Sequence, residues 1–243
     1  MSDDRLVRVL AFLAAHVAAH NTVVSSRTAC DACTHLTGVE GTGLTLMNGA
    51  GRDESRYATN TTSAAIEDLQ FALGEGPGLD SFRAGMPVLV PDLDSTTGHR
   101  RWPVFTPAAV ETGARAVFAF PLRSGAVRLG SLVLHRTRPV PMTADQLADT
   151  LVVADVVLSL LLDELVPVRR ELTQQSGEGM SLSRAEVHQA AGMVSAQLGV
   201  TVEEALVRLR AYAYASEQPM DAVARRIVTR RLRMRPETEL EPG

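Results

Sequence analysis

The stretch SRAEVHQAAGMVSAQLGVTVEEALVRLRAYAYASEQPMDAVARRIVTRRL, Ser183 to Leu232, decides how the second half of the chain folds, because helix punctuation recurs in it. Ser183 and Glu186 have the S-x-x-E spacing of a capping box, in which the serine oxygen takes a first-turn amide and the glutamate reaches back to the cap amide. Val187, Ala190, Ala191, Val194 and Leu198 then recur at helical spacing, and Gly199 supplies a residue that tolerates left-handed backbone angles at a helix end. Thr201 and Glu204 repeat the box ahead of a second stripe, Val202, Ala205, Leu206, Leu209 and Ala213. Pro219, placed where a first turn tolerates a missing amide, precedes a third stripe of Met220, Val223, Ala224, Ile227 and Val228. Helices this short are marginal alone in water, so a three-helix bundle that buries the three stripes together is predicted.

Charge is segregated along the chain. From Arg184 to Arg235 there are nine arginines against five acids, a local charge of +4 within a chain whose net charge is −4. Residues 1–183 hold fifteen arginines against twenty acids, and the tail adds Glu237, Glu239 and Glu241. Arg226, Arg230 and Arg233 fall at i, i+4 and i+7 opposite the apolar seam, which predicts a helical arginine stripe facing solvent. Such a stripe is either a solvated helix face or the docking face for an acidic polymer.

The segment from Arg184 to Val228 resembles an ANTAR module, the RNA-binding antitermination domain of bacterial regulators. The resemblance is carried by Arg184, the Gln189-Ala190-x-Gly192 core, Glu204-Ala205, Leu209-Arg210, Ala213, Val223-Ala224 and Ile227-Val228. It implies binding to hairpin loops in nascent transcripts, so that a terminator does not form. One position departs from the pattern: Ala191 stands where the family often has lysine, so other arginines have to supply that phosphate contact. Loop bases are read by stacking on aromatic or guanidinium planes and by hydrogen bonds to their edges, while phosphates bind cations. The RNA-binding candidates are therefore Arg184, Gln189, Ala190, Gly192, Arg208, Arg210, Tyr212, Arg226 and Arg230. Arg208–Tyr212 and Arg210–Tyr214 each place a charge one turn from a ring, although the rings are equally suited to sealing the bundle. Gly192 is expected to admit a close backbone approach or tight helix packing. The alternative for a basic three-helix bundle is a ligand-responsive DNA-binding regulator.

The preceding part of the chain is long enough for a core of its own. Strands are predicted at Leu44–Met47, Val88–Val90, Ala114–Leu122 and Val127–His135, the last two joined as a hairpin at Ser124 and Gly125. Helices are predicted at Asp4–Ala19, Ser26–Leu36, Ser63–Leu73 and Thr143–Leu165, the last opened by a Thr143-x-x-Gln146 capping box. Helices flanking an antiparallel sheet define an α+β domain. The runs GEGPGLDSFRAGMPVLVPDL and ARAVFAFPLRSGAVRLGSLVLHR, followed by a long helix, resemble a GAF domain. That likeness implies a sensory or dimerising role, with a pocket for a small-molecule effector between the sheet and the loops of about Tyr57 to Val110. Trp102 and Phe105 either line that pocket or complete a core. The expected layout is a GAF-like domain over 1–165, a linker over 166–180, an ANTAR domain over 181–235 and an acidic tail over 236–243.

Leu147, Leu151, Ala154, Leu158, Leu161 and Leu165 alternate steps of four and three, and Leu6, Leu10, Leu13 and Val17 do the same. These read as heptad seams that pair two chains into a homodimer, or as stripes facing the domain's own sheet. Pro167 is expected to kink or break the connecting helix before the flexible run Gln174 to Gly179. The pair Cys30 and Cys33 suggests either packing one turn apart or a metal site assisted by His16, His20 and His35, but a structural zinc needs further ligands at suitable spacing. No Ser/His/Asp constellation is found, and Gly74, Gly76 and Gly78 lack the context of a nucleotide fingerprint, so neither catalysis nor a cofactor is expected. No apolar run approaches a membrane span and the N-terminus is acidic, which points to the cytoplasm. All 24 basic residues are arginine, with no functional implication.

Overall fold

The hairpin at the centre of the first domain shows why a sheet forms. Along β4 (Ala116–Ser124), Ala116, Phe118, Phe120 and Leu122 belong to one apolar cluster while Val117 and Ala119 belong to another. Along β5 (Val127–Arg136), Leu132 and Leu134 join the first cluster and Val133 the second. This two-residue alternation buries both faces of the sheet. Phe118 stands opposite Leu134 and Phe120 opposite Leu132, so the large side chains pair across the strands.

A computed structural model of the chain describes residues 2–47, 54–125, 127–171, 182–216 and 218–234, and the side chains there except at 2–3, 54, 165–171, 182–185 and 203. The chain divides into two units, residues 1–48 with 55–177 and residues 178–243 with 49–54. In the first, β1 (Gly41–Leu46), β2 (Glu54–Ala58), β3 (Val88–Val90), β4 and β5 form one sheet in the order β2-β1-β5-β4-β3. The pairs β1–β5, β5–β4 and β4–β3 are antiparallel. Helices α1 (Ser2–Ala19), α2 (Ser26–Thr37) and α7 (Ala144–Glu171) supply the cluster on one face. On the other face lie α3 (Thr61–Leu73), α4 (Pro77–Ala84), α5 (Thr96–Arg101) and α6 (Phe105–Glu111). The α+β expectation holds, and four elements are additions to it: β2, α4, α5 and α6.

Caps fix several of these helices. Thr143 and Gln146 make the predicted reciprocal box at the start of α7, at 2.9 and 3.2 Å. Ser25 and Thr28 make another at α2. Glu164, far along α7, accepts from the Ser26 amide at 2.6 Å and the Ser26 hydroxyl at 2.8 Å, so α7 itself holds the first turn of α2. Arg5 and Arg8 reach the buried Asp149 carboxylate at 2.6 and 2.5 Å and fasten α1 to α7.

On α7 one open choice is decided and one expectation is corrected. Of the two readings of the stripe, Ala154, Leu158 and Leu161 follow the second, buried in the domain's own core with Leu147 packed against them, while Leu151 is exposed. Among the described residues, the exposed large apolar side chains of these two helices are Leu151, Leu6 and Leu10, which belong to the predicted stripes, together with Leu162 on α7 and Val7 on α1. The helix does not break at Pro167, since α7 continues to Glu171 and takes up the start of the expected linker. A proline removes one amide from the ladder, and the remaining bonds carry the helix past it. The run Gln174 to Gly179 and the tail 236–243 lie outside the described residues.

The second unit contains α8 (Leu182–Leu198), α9 (Val202–Ala215) and α10 (Met220–Val228). Val187, Ala190, Ala191 and Val194 of α8 pack with Ala205, Leu206, Leu209 and Ala213 of α9 and with Met220, Val223, Ala224 and Ile227 of α10, all buried. These are the positions of the three predicted stripes. Gly199 adopts φ +67° and closes α8, and Thr201 caps α9 by accepting from the Glu204 amide at 3.2 Å. The first capping box is not formed as predicted. The helix α8 begins at Leu182, before Ser183, and the Glu186 carboxylate accepts from Arg225 at 3.2 Å.

Candidate nucleic-acid interface

The core decides which candidate side chains remain available. Ala190 is wholly buried, and so is Ala191, the position where a lysine contact was in question. Both act through packing. Gln189 and Gly192, three residues apart, lie on the exposed side of α8. A side chain built at Gly192 would meet nothing within 4 Å, so of the two readings of this glycine tight helix packing is absent and its face is open. Arg184 lies in the first turn of α8, with its side chain outside the described set.

On α9, Arg208 pairs with Glu204 one turn earlier at 2.9 Å, which diverts that glutamate from its capping role. Arg210 and Tyr212 are half-buried, whereas Tyr214 is 71% exposed and is the more available ring. On α10, Arg225 is held by Glu186, and the half-buried Arg226 donates to Gln218 Oε1 at 2.8 Å.

The continuous arginine stripe predicted on the third helix does not exist. Helix α10 ends at Val228, and Arg230 adopts φ +59°, which turns the chain out of the helix. Arg226 therefore stays on the helix, while Arg230, Arg231 and Arg233 are exposed on the segment that follows. No glycine or proline marks this end in the sequence, so Thr-Arg-Arg-Leu-Arg reads as more helix.

In the first unit, Trp102 and Phe105 meet edge to face at 6.4 Å between ring centres, at 2% and 0% exposure. They complete the core with Ile66, Val117 and Val133. Trp102 Nε1 donates to Asp80 Oδ2 at 3.2 Å, and the Phe105 amide donates to Glu75 Oε1 at 2.7 Å. The amide of Gly78 donates to Gln70 Oε1 at 2.6 Å, so Gly76 and Gly78, at the start of α4, pack against a glutamine. Cys30 and Cys33 are fully buried, and burial pushes the Cys33 thiol up to about 12. His16, His20 and His35 line a groove of about 290 Å³ between α1 and α2. Among the described residues no group of three such side chains is arranged to hold a metal ion, and no helix there is long and apolar enough to cross a membrane.

A helix-covered antiparallel sheet domain is followed by a three-helix bundle with segregated positive charge. Residues 21–160 match the GAF domain family and residues 181–228 match the ANTAR domain family. The chain therefore belongs to the proteins that combine a GAF domain with an ANTAR domain. ANTAR domains are RNA-binding antitermination modules, and GAF domains are regulatory, ligand-binding domains.

No curated protein matches the chain. Among solved structures it is similar to the GAF domain of a phosphoenolpyruvate-protein phosphotransferase from Coxiella burnetii, with 11% identity, a TM-score of 0.49 and coverage of 68% of this chain and 98% of that one. It is similar to the GAF domain of an Acinetobacter phosphoenolpyruvate-protein phosphotransferase, with 12% identity, a TM-score of 0.48 and coverage of 70% and 98%. A third similar structure is the GAF-B domain of DevS from Mycobacterium smegmatis, with 19% identity, a TM-score of 0.42 and coverage of 60% and 95%.

Proposed function

We propose that this protein is a transcription antitermination regulator of the cytoplasm that binds hairpin loops in nascent transcripts, as a homodimer and under the control of its GAF domain. The observation that carries the reading is the ANTAR match over a packed three-helix bundle of net positive charge within an acidic chain. In this reading residues 1–165 sense or dimerise, 166–180 connect, 181–235 bind RNA and 236–243 form an acidic tail.

The open side of α8 supports it. A glycine inside a helix costs stability relative to alanine, and Gly192 has no packing neighbour that would explain its presence. With Gln189 beside it, the surface admits close approach by a sugar or phosphate and offers an amide that both donates and accepts. Arg184, Arg208, Arg210 and Tyr212 remain candidate contacts, joined by the exposed ring of Tyr214.

The dimer is proposed through the exposed apolar residues of α1 and α7, Leu6, Val7, Leu10, Leu151 and Leu162. Two RNA-binding modules held in one particle raise each other's effective concentration and suit paired hairpins. A gel-shift titration of the full chain with RNA carrying two consecutive stem-loops, at two salt concentrations, tests the reading. Binding that weakens steeply with salt and exceeds binding to duplex DNA is expected. Equal or stronger binding to the duplex rejects it in favour of a DNA-binding regulator.

A further inference from the structure

Most of the visible helical arginines of the second unit are engaged: Arg208 by Glu204, Arg225 by Glu186 and Arg226 by Gln218. Arg230, Arg231 and Arg233 differ. All three are exposed, and among the described residues none of their guanidinium groups has a hydrogen-bond or ion-pair partner. They also lie beyond residue 228, where the ANTAR match ends.

The segment that bears them has a defined backbone. The Arg231 amide donates to Arg226 O at 2.7 Å and the Arg230 amide to Ile227 O at 2.9 Å, the paired bonds of a Schellman motif. Arg230 fills its left-handed position. Glycine fills the left-handed position at the ends of α2, α3, α4 and α8, with φ from +61° to +69°, and Asn21 fills it after α1 at φ +49°; asparagine tolerates these angles through its short polar side chain, so the long arginine is the exception among them. Further on, the Met234 amide donates to Gln197 Oε1 at 3.2 Å and ties the segment to the end of α8. Gln197 lies five residues, roughly 7.5 Å along the axis, from the open face at Gly192.

Cations at a helix C-terminus also offset its dipole. Arg225 and Arg226 already do this from the last turn of α10. A strained position held by an arginine, followed by two more unpartnered arginines, calls for a different cause.

We infer that residues 229–234 form a phosphate-binding knuckle, in which Arg230, Arg231 and Arg233 contact the RNA backbone beside the loop bases met by α8. The inference rests on the RNA reading above. It gives that reading the cationic contact that the buried Ala191 does not provide. Backbone contacts add affinity and salt dependence without sequence preference.

The test is a binding titration of the full chain against a two-stem-loop RNA across a salt series, comparing wild type with the double variant Arg231→Ala, Arg233→Ala. The double variant is expected to bind roughly ten- to a hundredfold more weakly, with the log-log salt slope reduced by about 1.5–2 and the loss equal for different loop sequences. The variant Arg231→Lys, Arg233→Lys is expected to restore the slope, because phosphates accept either cation. Circular dichroism checks that helix content is unchanged. If wild type binds and the alanine variant matches it in affinity and slope, the knuckle is rejected while the RNA reading stands. If the variant loses only duplex DNA binding, the assignment to RNA is wrong. If wild type binds no stem-loop RNA, both readings fall together.

Discussion

Replacing Arg230 by glycine separates two effects that this residue combines, backbone strain and charge. At φ +59° a side-chain-bearing residue pays a left-handed penalty of about 1–2 kcal/mol. Glycine relieves it but gives the unfolded chain more freedom, which takes back about 0.5–1 kcal/mol. The net expectation is a gain of about 0.5–1 kcal/mol, because the Schellman bonds of Arg230 and Arg231 are made by backbone atoms and survive. In a small helical unit such a gain raises the melting temperature by roughly 2–8 °C. The assay is scanning calorimetry of the full chain, with Arg230→Ala as companion. Alanine removes the same charge but keeps the strained Cβ, so it should melt near wild type. Both variants should lose RNA affinity to a similar extent. A glycine variant that melts no higher than the alanine variant contradicts the left-handed assignment and the helix end built on it.

Other outcomes follow from the first unit. Glu164→Ala leaves the Ser26 amide and hydroxyl without their acceptor and is expected to destabilise that unit by about 1–2 kcal/mol, read by chemical denaturation. His135 is 1% exposed, and burial lowers its pKa from the ordinary value of 6.5 to about 4. The folded state therefore binds fewer protons than the unfolded chain, so its contribution is complete above about pH 6.5 and is lost as pH falls towards 4. The full effect is about 3 kcal/mol, and His135→Gln should flatten a stability profile measured over that range. Val7→Glu with Leu10→Glu places charge on the exposed apolar face of α1 and is expected to give a monomer by light scattering, while Leu161→Ala destabilises the core by about 2–5 kcal/mol and spares self-association.

The second unit was legible because its signals are local and agree with one another. Helical periodicity placed all twelve of its core residues from Val187 to Ile227, and Gly199 and Thr201 marked the joint between the first two helices. The end of α10 was not legible, since its left-handed residue is an arginine and the backbone bonds that turn the chain leave no trace in residue type. In the first unit the hairpin β4–β5 announced itself by alternation. The strand β2, Glu-Ser-Arg-Tyr-Ala, is polar and half-buried, and α4, α5 and α6 are too short to develop a period. What the stripe on α7 packs against was left open for a different reason. A four-three repeat suits a partner helix and the domain's own sheet equally well, and only tertiary packing shows that Ala154, Leu158 and Leu161 point inward. Trp102 and Phe105 were ambiguous in the same way, because an aromatic near a ligand pocket and one that fills a core look identical in sequence.

The central claim is that the C-terminal bundle of this protein recognises folded transcripts. Crosslinking the full chain to cellular RNA, with sequencing of the bound sites and mapping of the crosslinked residues, tests it most directly. The account predicts sites at consecutive stem-loops that overlap terminators, with crosslinks on α8, α9 and residues 229–234. Sites without stem-loops, or crosslinks confined to the first unit, contradict it.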